Sequence, residues 1–185
     1  YNKPTQDGIY EHYKEISKKS KIPIIMYNVP SRTGSNINAN TVIKLANNCD
    51  NIIGIKEASG NIEQIMQIIN NKPDNFQVIS GDDALTVPMI YLGASGVISV
   101  IGQVYPNDFS DMVKEALAGN ITNANFLHYK LLDFYKPLYD EGNPVGVKAA
   151  LELINICYSH VRKPLLKASP KIFDDIKTLS VKYST

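Results

Sequence analysis

Tryptophan is absent from the 185 residues, and cysteine occurs only twice, as Cys49 and Cys157. Two cysteines are too few for a disulfide framework, which indicates a reducing compartment. No apolar run exceeds about five residues, and this excludes a segment that spans a bilayer. No stretch resembles a signal peptide, so we expect a cytoplasmic protein. There is no initiator Met before Tyr1, and we expect that Tyr1 is not the natural start.

An excess of charge of either sign is also missing. The chain has 19 Lys and Arg against 18 Asp and Glu, a net charge of +1. This balance excludes the electrostatic signature of a protein that binds nucleic acid or an anionic membrane. Only Arg32 and Arg162 are arginines, so an arginine inside a motif stands out.

Metal-ligand patterns are missing as well. The histidines, His12, His128 and His160, are scattered, with no H-x-x-x-H spacing and no cysteine beside them. We therefore predict no metal site. Asp82 and Asp83 could serve as metal ligands or as an acid and base pair, but their place before a helix favours capping.

What the chain does contain is an alternation of short β-branched runs with longer amphipathic stretches. This alternation is typical of βα units in a parallel sheet. The apolar runs predict strands at 22–27, 51–56, 76–80 and 96–100. Because the runs are almost continuously apolar, we expect both faces of the strands to be covered. The periodic stretches predict helices at 9–19, 40–48, 62–69, 83–92 and 106–118.

After Gly119 the alternation stops, and three helices are predicted at 121–139, 145–156 and 170–182. The fold class is therefore α/β, with a βα part at 1–119 and a helical domain at 120–185. An open doubly wound sheet would favour a Gly-rich phosphate loop, and none of its motifs occurs. A (β/α)8 barrel carries its reactive residues at the carboxyl ends of the strands. Tyr27, Lys56, Gly81 and Ser99 occupy such positions, which favours the barrel.

Lys56 is the most informative of these residues. Regular alternation along its strand puts Ile52, Gly54 and Lys56 on one face. If that face lines a barrel, the amine is desolvated and its neutral form, which attacks carbonyl groups to give a Schiff base, is favoured. Gly54 would then leave space beneath the lysine. A lysine at a strand end can equally keep its ammonium group in solvent.

Tyr27 and Arg32 lie in the segment that follows the preceding strand. A phenol beside a lysine can relay protons, and the planar guanidinium of an arginine suits a substrate carboxylate. The alternatives are a tyrosine that caps the core and an arginine that forms a surface ion pair.

Five ordered motifs resemble the dihydrodipicolinate synthase family of class I, pyruvate-dependent aldolases. The resemblance covers essentially the whole chain and includes Glu141-Gly142-Asn143-Pro144-Val145 in the tail. The motifs are Tyr-Asn-Lys-Pro-Thr-Gln-Asp-Gly at 1–8, Tyr-Asn-Val-Pro-Ser-Arg-Thr-Gly at 27–34, Gly-Ile-Lys-Glu-Ala-Ser-Gly at 54–60, Ser-Gly-Asp-Asp at 80–83 and Gly-Val-Ile-Ser-Val at 96–100.

The resemblance implies a TIM barrel with a C-terminal helical domain that condenses pyruvate with L-aspartate 4-semialdehyde in lysine and diaminopimelate biosynthesis. It implies no metal or organic cofactor, and a homodimer or homotetramer. The matching positions, in this numbering, are Lys56 for the Schiff-base lysine, Tyr27 and Tyr1 for relay tyrosines, Arg32 for the semialdehyde carboxylate, and Gly81 and Ile98 for backbone that lines the pocket.

One family motif, Gly-Thr-Thr-Gly-Glu, is absent from this sequence. That motif supplies a relay threonine and the pyruvate-carboxylate site in the first half of the barrel. Since a TIM barrel takes about 250 residues, we expect this chain to be the C-terminal half of the barrel with its helical domain, and to be inactive alone. The alternatives are an aldolase like N-acetylneuraminate lyase, which shares the tyrosine and the lysine, and a half-barrel without activity.

Overall fold

A computed structural model of the chain describes residues 2–184. It divides into two compact units, Tyr1–Ile98 and Ser99–Thr185. In the first unit strands and helices alternate; the second is helical. The first unit runs α1 (Gln6–Lys19), β1 (Ile24–Asn28), α2 (Pro30–Thr33), α3 (Ala39–Asn48), β2 (Ile52–Glu57), α4 (Ile62–Asn71), β3 (Gln77–Ser80), α5 (Thr86–Tyr91) and β4 (Gly96–Val97).

The four strands form one sheet in the order β1-β2-β3-β4, and every neighbouring pair is parallel. Sequential parallel strands joined by helices are the βα repeat that the sequence predicts. Most predicted bounds agree with the structure to within about three residues, the usual uncertainty at helix and strand ends. The last predicted strand, 96–100, is shortened to Gly96–Val97.

Helices cover one face of this sheet. Their core residues pack on Met26, Ile55 and Val78, which are at most 1% exposed. On the other face Ile25 and Tyr27 are each 44% exposed. The expectation that both faces are covered is therefore wrong for the described part of the chain. The core that packs on the sheet includes Tyr10, Val42, Leu45, Ile65, Ile68, Phe76 and Met89.

An irregularity in β2 changes which residues share a face. Ile24 pairs with Ile52, but the next residue, Ile25, pairs with Gly54, so Ile53 is an extra residue in the ladder. Such a bulge reverses the alternation on one side of it. Ile52 is therefore on the helix-covered face with Ile24 and is 2% exposed. The prediction that Ile52 shares a face with Lys56 is wrong for this reason.

Of the two helix caps that the sequence indicates, the structure has the one at Asn61. Asn61 Oδ1 accepts a hydrogen bond from the backbone N–H of Gln64 at 3.0 Å, which satisfies one free donor at the start of α4. Asp82 Oδ1 accepts from the N–H groups of Ala84 and Leu85 at 3.0 and 3.3 Å. These bonds hold a turn ahead of α5, which begins at Thr86 with Leu85 as its N-cap and no side-chain cap bond. The prediction that Asp82 caps this helix is therefore wrong, because the turn at Asp82 comes before the first helical residue.

The second unit contains the helices α6 (Pro106–Leu117), α7 (Ile121–Tyr139), α8 (Val145–Leu153) and α9 (Pro170–Ser184). The unit begins at Ser99, whereas the expected division follows residue 119. The difference is α6, which packs against α7. Ring contacts join the start of α6 to two other helices, since Tyr105, the residue before α6, lies 4.8 Å from Phe134 and 4.4 Å from Tyr183 between ring centroids.

Asp108 and Lys130 surround the phenol of Tyr183. The hydroxyl of Tyr183 donates to Asp108 Oδ2, and Lys130 Nζ lies 3.0 Å from the same oxygen. The bond from Tyr183 lowers the pKa of Asp108, and burial raises the pKa of Tyr183. These contacts connect α9 to α6 and α7.

Both cysteines are unpaired, with Cys49 buried and Cys157 exposed. Among residues 2–184, none of the helices combines the length and the apolar content that crossing a bilayer requires.

We predict that His128 makes the stability of this protein depend on pH. His128 is 8% exposed, its Nδ1 has no partner among the described residues, and burial lowers its pKa below the ordinary 6.5. As the pH falls through about 6.5, the unfolded state binds a proton that the folded state does not, so the free energy of unfolding decreases. His128→Phe should remove this part of the pH dependence in urea unfolding between pH 7.5 and 5.5. An unchanged pH dependence in the variant would contradict the assignment.

Candidate active site

Lys56 and Tyr27 lie side by side on the open face of the sheet. They are partners in the register of β1 and β2, and Lys56 Nζ lies 4.4 Å from the centroid of the Tyr27 ring. This distance is within the range of a cation–π contact. Lys56 is half-buried. The amine and the phenol that the sequence singles out are thus neighbours at the carboxyl ends of adjacent parallel strands.

Backbone hydrogen bonds beyond the strand ends bring two further candidates to the same edge. Gly81 N donates to Glu57 O at 2.8 Å, and Ile98 N donates to Ser80 O at 3.0 Å. Ala58 N donates to Asn28 O at 2.9 Å in the same way. The side chain of Ile98 is 49% exposed. The edge therefore presents Tyr27, Lys56, Gly81 and Ile98 along successive strands.

Gly81, and not Gly54, makes room for the lysine. A Cβ at Gly81 would lie 3.0 Å from Lys56 Cε and 2.8 Å from Ala58 Cβ. A Cβ at Gly54 would lie 2.7 Å from the backbone O of Gln77. The prediction that Gly54 leaves space beneath Lys56 is thus wrong, because β3 fills that space. Gly54 permits the close approach of two strands.

Arg32 follows β1 in the short helix α2 and does not contact the pair. It is the third of the four residues of α2, is exposed, and forms no ion pair among the described residues. Gly34 follows with a φ of 66°, a conformation that glycine adopts at little cost. The guanidinium is therefore available to an anion. Tyr1, the other relay candidate, is outside the described residues.

A cleft adjoins the exposed side of Tyr27. In it Tyr13 is half-buried, and burial raises the pKa of its phenol, while a hydrogen bond with the Tyr27 backbone acts in the opposite direction. The rings of His12 and Tyr13 are 5.6 Å apart. The cleft is lined by Asn2, Lys3, Pro4, Gly8, Ile9, His12, Tyr13, Tyr27, Asn28, Thr33, Ser35 and Ile37.

Two buried polar residues that were not predicted from the sequence lie behind the site. Asn28 and Glu57 are 1% and 0% exposed, and Asn28 Nδ2 donates to Glu57 Oε2 at 3.0 Å. Each directly follows a candidate residue, Tyr27 or Lys56. The available signal is a carboxylate or amide within an apolar strand, since buried polar groups require partners.

The Dihydrodipicolinate synthetase family matches residues 1–180. The chain belongs to that family. It is 49% identical over 185 residues to a 4-hydroxy-tetrahydrodipicolinate synthase of Azobacteroides pseudotrichonymphae genomovar. CFP2, covering 100% of this chain and 62% of the relative. Family membership confirms the resemblance stated from the motifs.

Solved structures of family members have the same fold. The dihydrodipicolinate synthase of Aquifex aeolicus superposes with a TM-score of 0.96 at 42% identity, covering 100% of this chain and 63% of that one. A monomeric dihydrodipicolinate synthase variant superposes with a TM-score of 0.97 at 37% identity, covering 100% and 62%. These matches confirm the α/β fold of the family's TIM barrels. The chain spans about 62% of the length of the relative it matches.

Gly81→Ala should destabilise the fold through Lys56. The new methyl group would overlap Lys56 Cε and Ala58 Cβ, so we expect a loss of about 1–3 kcal/mol in the free energy of unfolding. Shortening the lysine removes the close contacts with Lys56 Cε and Cγ and leaves the one with Ala58 Cβ. The double variant Lys56→Ala/Gly81→Ala should therefore lose less than the sum of the single losses. Gly8→Ala, in a helix with no contact closer than 3.4 Å, serves as the control.

The measurement is urea unfolding of the wild type, the two single variants and the double variant. Strict additivity, within about 0.3–0.5 kcal/mol, would contradict the contact between Gly81 and Lys56.

Proposed function

We propose that the protein to which this chain belongs is a 4-hydroxy-tetrahydrodipicolinate synthase that condenses pyruvate with L-aspartate 4-semialdehyde. The single observation that carries the proposal is the juxtaposition of Lys56 and Tyr27, with 4.4 Å between Nζ and the ring centroid, in a chain of this family. Arg32 supports it, because its exposed guanidinium, which pairs with no carboxylate of residues 2–184, lies five residues after Tyr27 in α2.

Lys56 is the nucleophile in the proposed reaction. Its amine adds to the C2 ketone of pyruvate, and loss of water gives an imine. The imine acidifies the methyl group of pyruvate, whose deprotonation gives an enamine. The enamine carbon attacks the aldehyde of the second substrate. The amine of that substrate then attacks C2, which closes the ring and releases Lys56.

Tyr27 is the proton carrier of this sequence. Formation of the imine, formation of the enamine and release of the lysine each move a proton. A positioned acid and base contributes about 10²–10⁴-fold to such a step. The proposed relay also uses Tyr1. Arg32 binds the carboxylate of the semialdehyde, and the backbone of Gly81 and Ile98 lines the pocket.

The sheet is the C-terminal half of the barrel in this proposal. Among the described residues, β1 and β4 each have one neighbouring strand, and an eight-stranded barrel would pair both edges. Ile25 and Tyr27 would then face the other half. By position along the chain, residues 1–119 complete the barrel and 120–185 form the helical domain. The half-barrel alone has no synthase activity in this proposal.

The active protein is a homodimer or homotetramer that acts in the cytoplasm, in lysine and diaminopimelate biosynthesis. Two features support the cytoplasmic location. Both cysteines are unpaired, and the net charge of +1 gives no excess of positive charge for binding nucleic acid or an anionic membrane. One family member is a monomeric variant, so sedimentation of the complete protein decides the oligomeric state.

Incubation of the complete protein with pyruvate and borohydride should attach a reduced pyruvyl group to Lys56. Borohydride reduces an imine to a stable secondary amine, so peptide mapping by mass spectrometry identifies the lysine that forms it. Lys56→Ala should stay folded and lose the label and most turnover. Lys72→Ala, at a lysine outside the site, is the control. A label on another lysine of the wild type would contradict the proposal.

Arg32→Ala and Tyr27→Phe should affect different kinetic constants. Loss of the Arg32 guanidinium should raise the KM for the semialdehyde, because a charge-assisted hydrogen bond contributes roughly 1.5–3 kcal/mol, and should leave imine formation with pyruvate little changed. Tyr27→Phe should lower kcat, because the lost hydroxyl transfers protons. Steady-state kinetics and borohydride trapping measure both. Normal kcat and imine formation in Tyr27→Phe would refute the relay.

A further inference from the structure

We infer that Glu57 and Asn28 are positioning residues that hold Lys56 and Tyr27 in place from the opposite face of the sheet. The inference rests on the function proposed above and adds to it two residues that touch neither substrate. Tyr27 and Lys56 are paired in the register of β1 and β2, and the next pair is Asn28 and Glu57. Side chains alternate along a strand, so this second pair projects to the helix-covered face.

Glu57 is a buried carboxylate held only by neutral groups. It is 0% exposed, and it forms no ion pair with any described residue. Its oxygens accept hydrogen bonds from Asn28 Nδ2 at 3.0 and 3.2 Å, from Gln64 Nε2 at 3.3 Å and from the backbone N–H of Ser59 at 2.7 Å. A carboxylate without a cation is costly to bury unless its oxygens are hydrogen-bonded. The end of β1, the segment after β2 and the start of α4 are thus held together through the donors Asn28, Ser59 and Gln64.

Asn28 extends this constraint to the segment after Arg32. Its Nδ2 also donates to Asn36 Oδ1 at 2.9 Å, and its Oδ1 accepts from the backbone N–H of Ile37 at 3.0 Å. Asn36 Nδ2 donates to Gln64 Oε1 at 2.8 Å, which returns the network to α4. One carboxylate therefore fixes the ends of both strands and the segment that follows Arg32.

Gln6 connects the same network to α1. Its Nε2 donates to Asn36 O at 2.8 Å, and its Oε1 accepts from Thr41 Oγ1 at 2.7 Å. Through Gln6, its first residue, α1 is therefore connected to the same set of hydrogen bonds. A fully satisfied polar network of this kind makes a packed region rigid. The proposed chemistry requires such rigidity, because small misplacements of reacting groups cost large factors in rate.

The donor and acceptor roles of the pair define the test, in the complete protein. Asn28→Asp sets two carboxylates against each other, and Glu57→Gln replaces an acceptor by a side chain that can also donate. The double variant Asn28→Asp/Glu57→Gln exchanges the roles and restores the bond. Glu63→Gln, at an exposed glutamate in the first turn of α4, is the matched control.

Each single variant should slow imine formation with pyruvate and lower kcat by about 10- to 100-fold, with a much smaller change in the KM for pyruvate. The double variant should recover most of the loss, and Glu63→Gln should match the wild type. A loss that only parallels the fraction of unfolded protein, or a double variant no better than the single variants, would overturn the inference.

Amide hydrogen exchange separates this inference from the proposed function. The Ile37 N–H has no direct bond to Glu57 and reaches it through Asn28. Its exchange should be at least about tenfold faster in Glu57→Gln, because local opening sets exchange rates, while that of Leu45 in α3 stays unchanged. Unchanged exchange at Ile37 would overturn the inference even if the wild type forms the imine. A wild type that forms no imine would refute only the proposed function.

Discussion

The parallel register of β1 and β2 is the constraint on which the rest of the site depends. It pairs Tyr27 with Lys56 on the open face and Asn28 with Glu57 on the covered face. The bulge at Ile53 makes this register possible, because it shifts the pairing by one residue before the site. Without that shift, the residues of β2 that follow would face the opposite sides of the sheet. A backbone feature therefore decides which side chain meets the tyrosine.

The two faces of the sheet have different physical tasks. The covered face contains the apolar core and the buried amides of Asn28 and Gln64, which donate hydrogen bonds to the Glu57 carboxylate. The open face presents the amine and the phenol, with Gly81 leaving room for the lysine side chain. The residues that stabilise the fold and those proposed to react therefore lie on opposite faces of the same sheet. The backbone bonds at the strand ends connect them.

Local patterns predicted the repeating elements and singled out the two residues that the structure places side by side, Tyr27 and Lys56. Helical periodicity and caps such as Asn61 identify α4, and strand ends identify Tyr27 and Lys56. Three features were not predictable, because each depends on contacts between strands. They are the bulge at Ile53, the contact of Gly54 with the backbone of Gln77 in β3, and the short β4. Glu57 was missed for a related reason: its partners Asn28 and Gln64 come from two other elements. Roles for Gly81 and Ile98 came from the family resemblance, and the roles of all the site residues, including Lys56, Tyr27 and Arg32, remain predictions.

The proposed chemistry requires the amine next to Tyr27 to bond covalently to a ketone substrate. A crystal structure of the complete protein soaked with pyruvate would show this bond. We expect continuous electron density from Lys56 Nζ to C2 of pyruvate, with the Tyr27 ring beside it and the Glu57 carboxylate still bonded to Asn28. Pyruvate bound without a bond to Lys56, or attached to another residue, would refute Lys56 as the nucleophile.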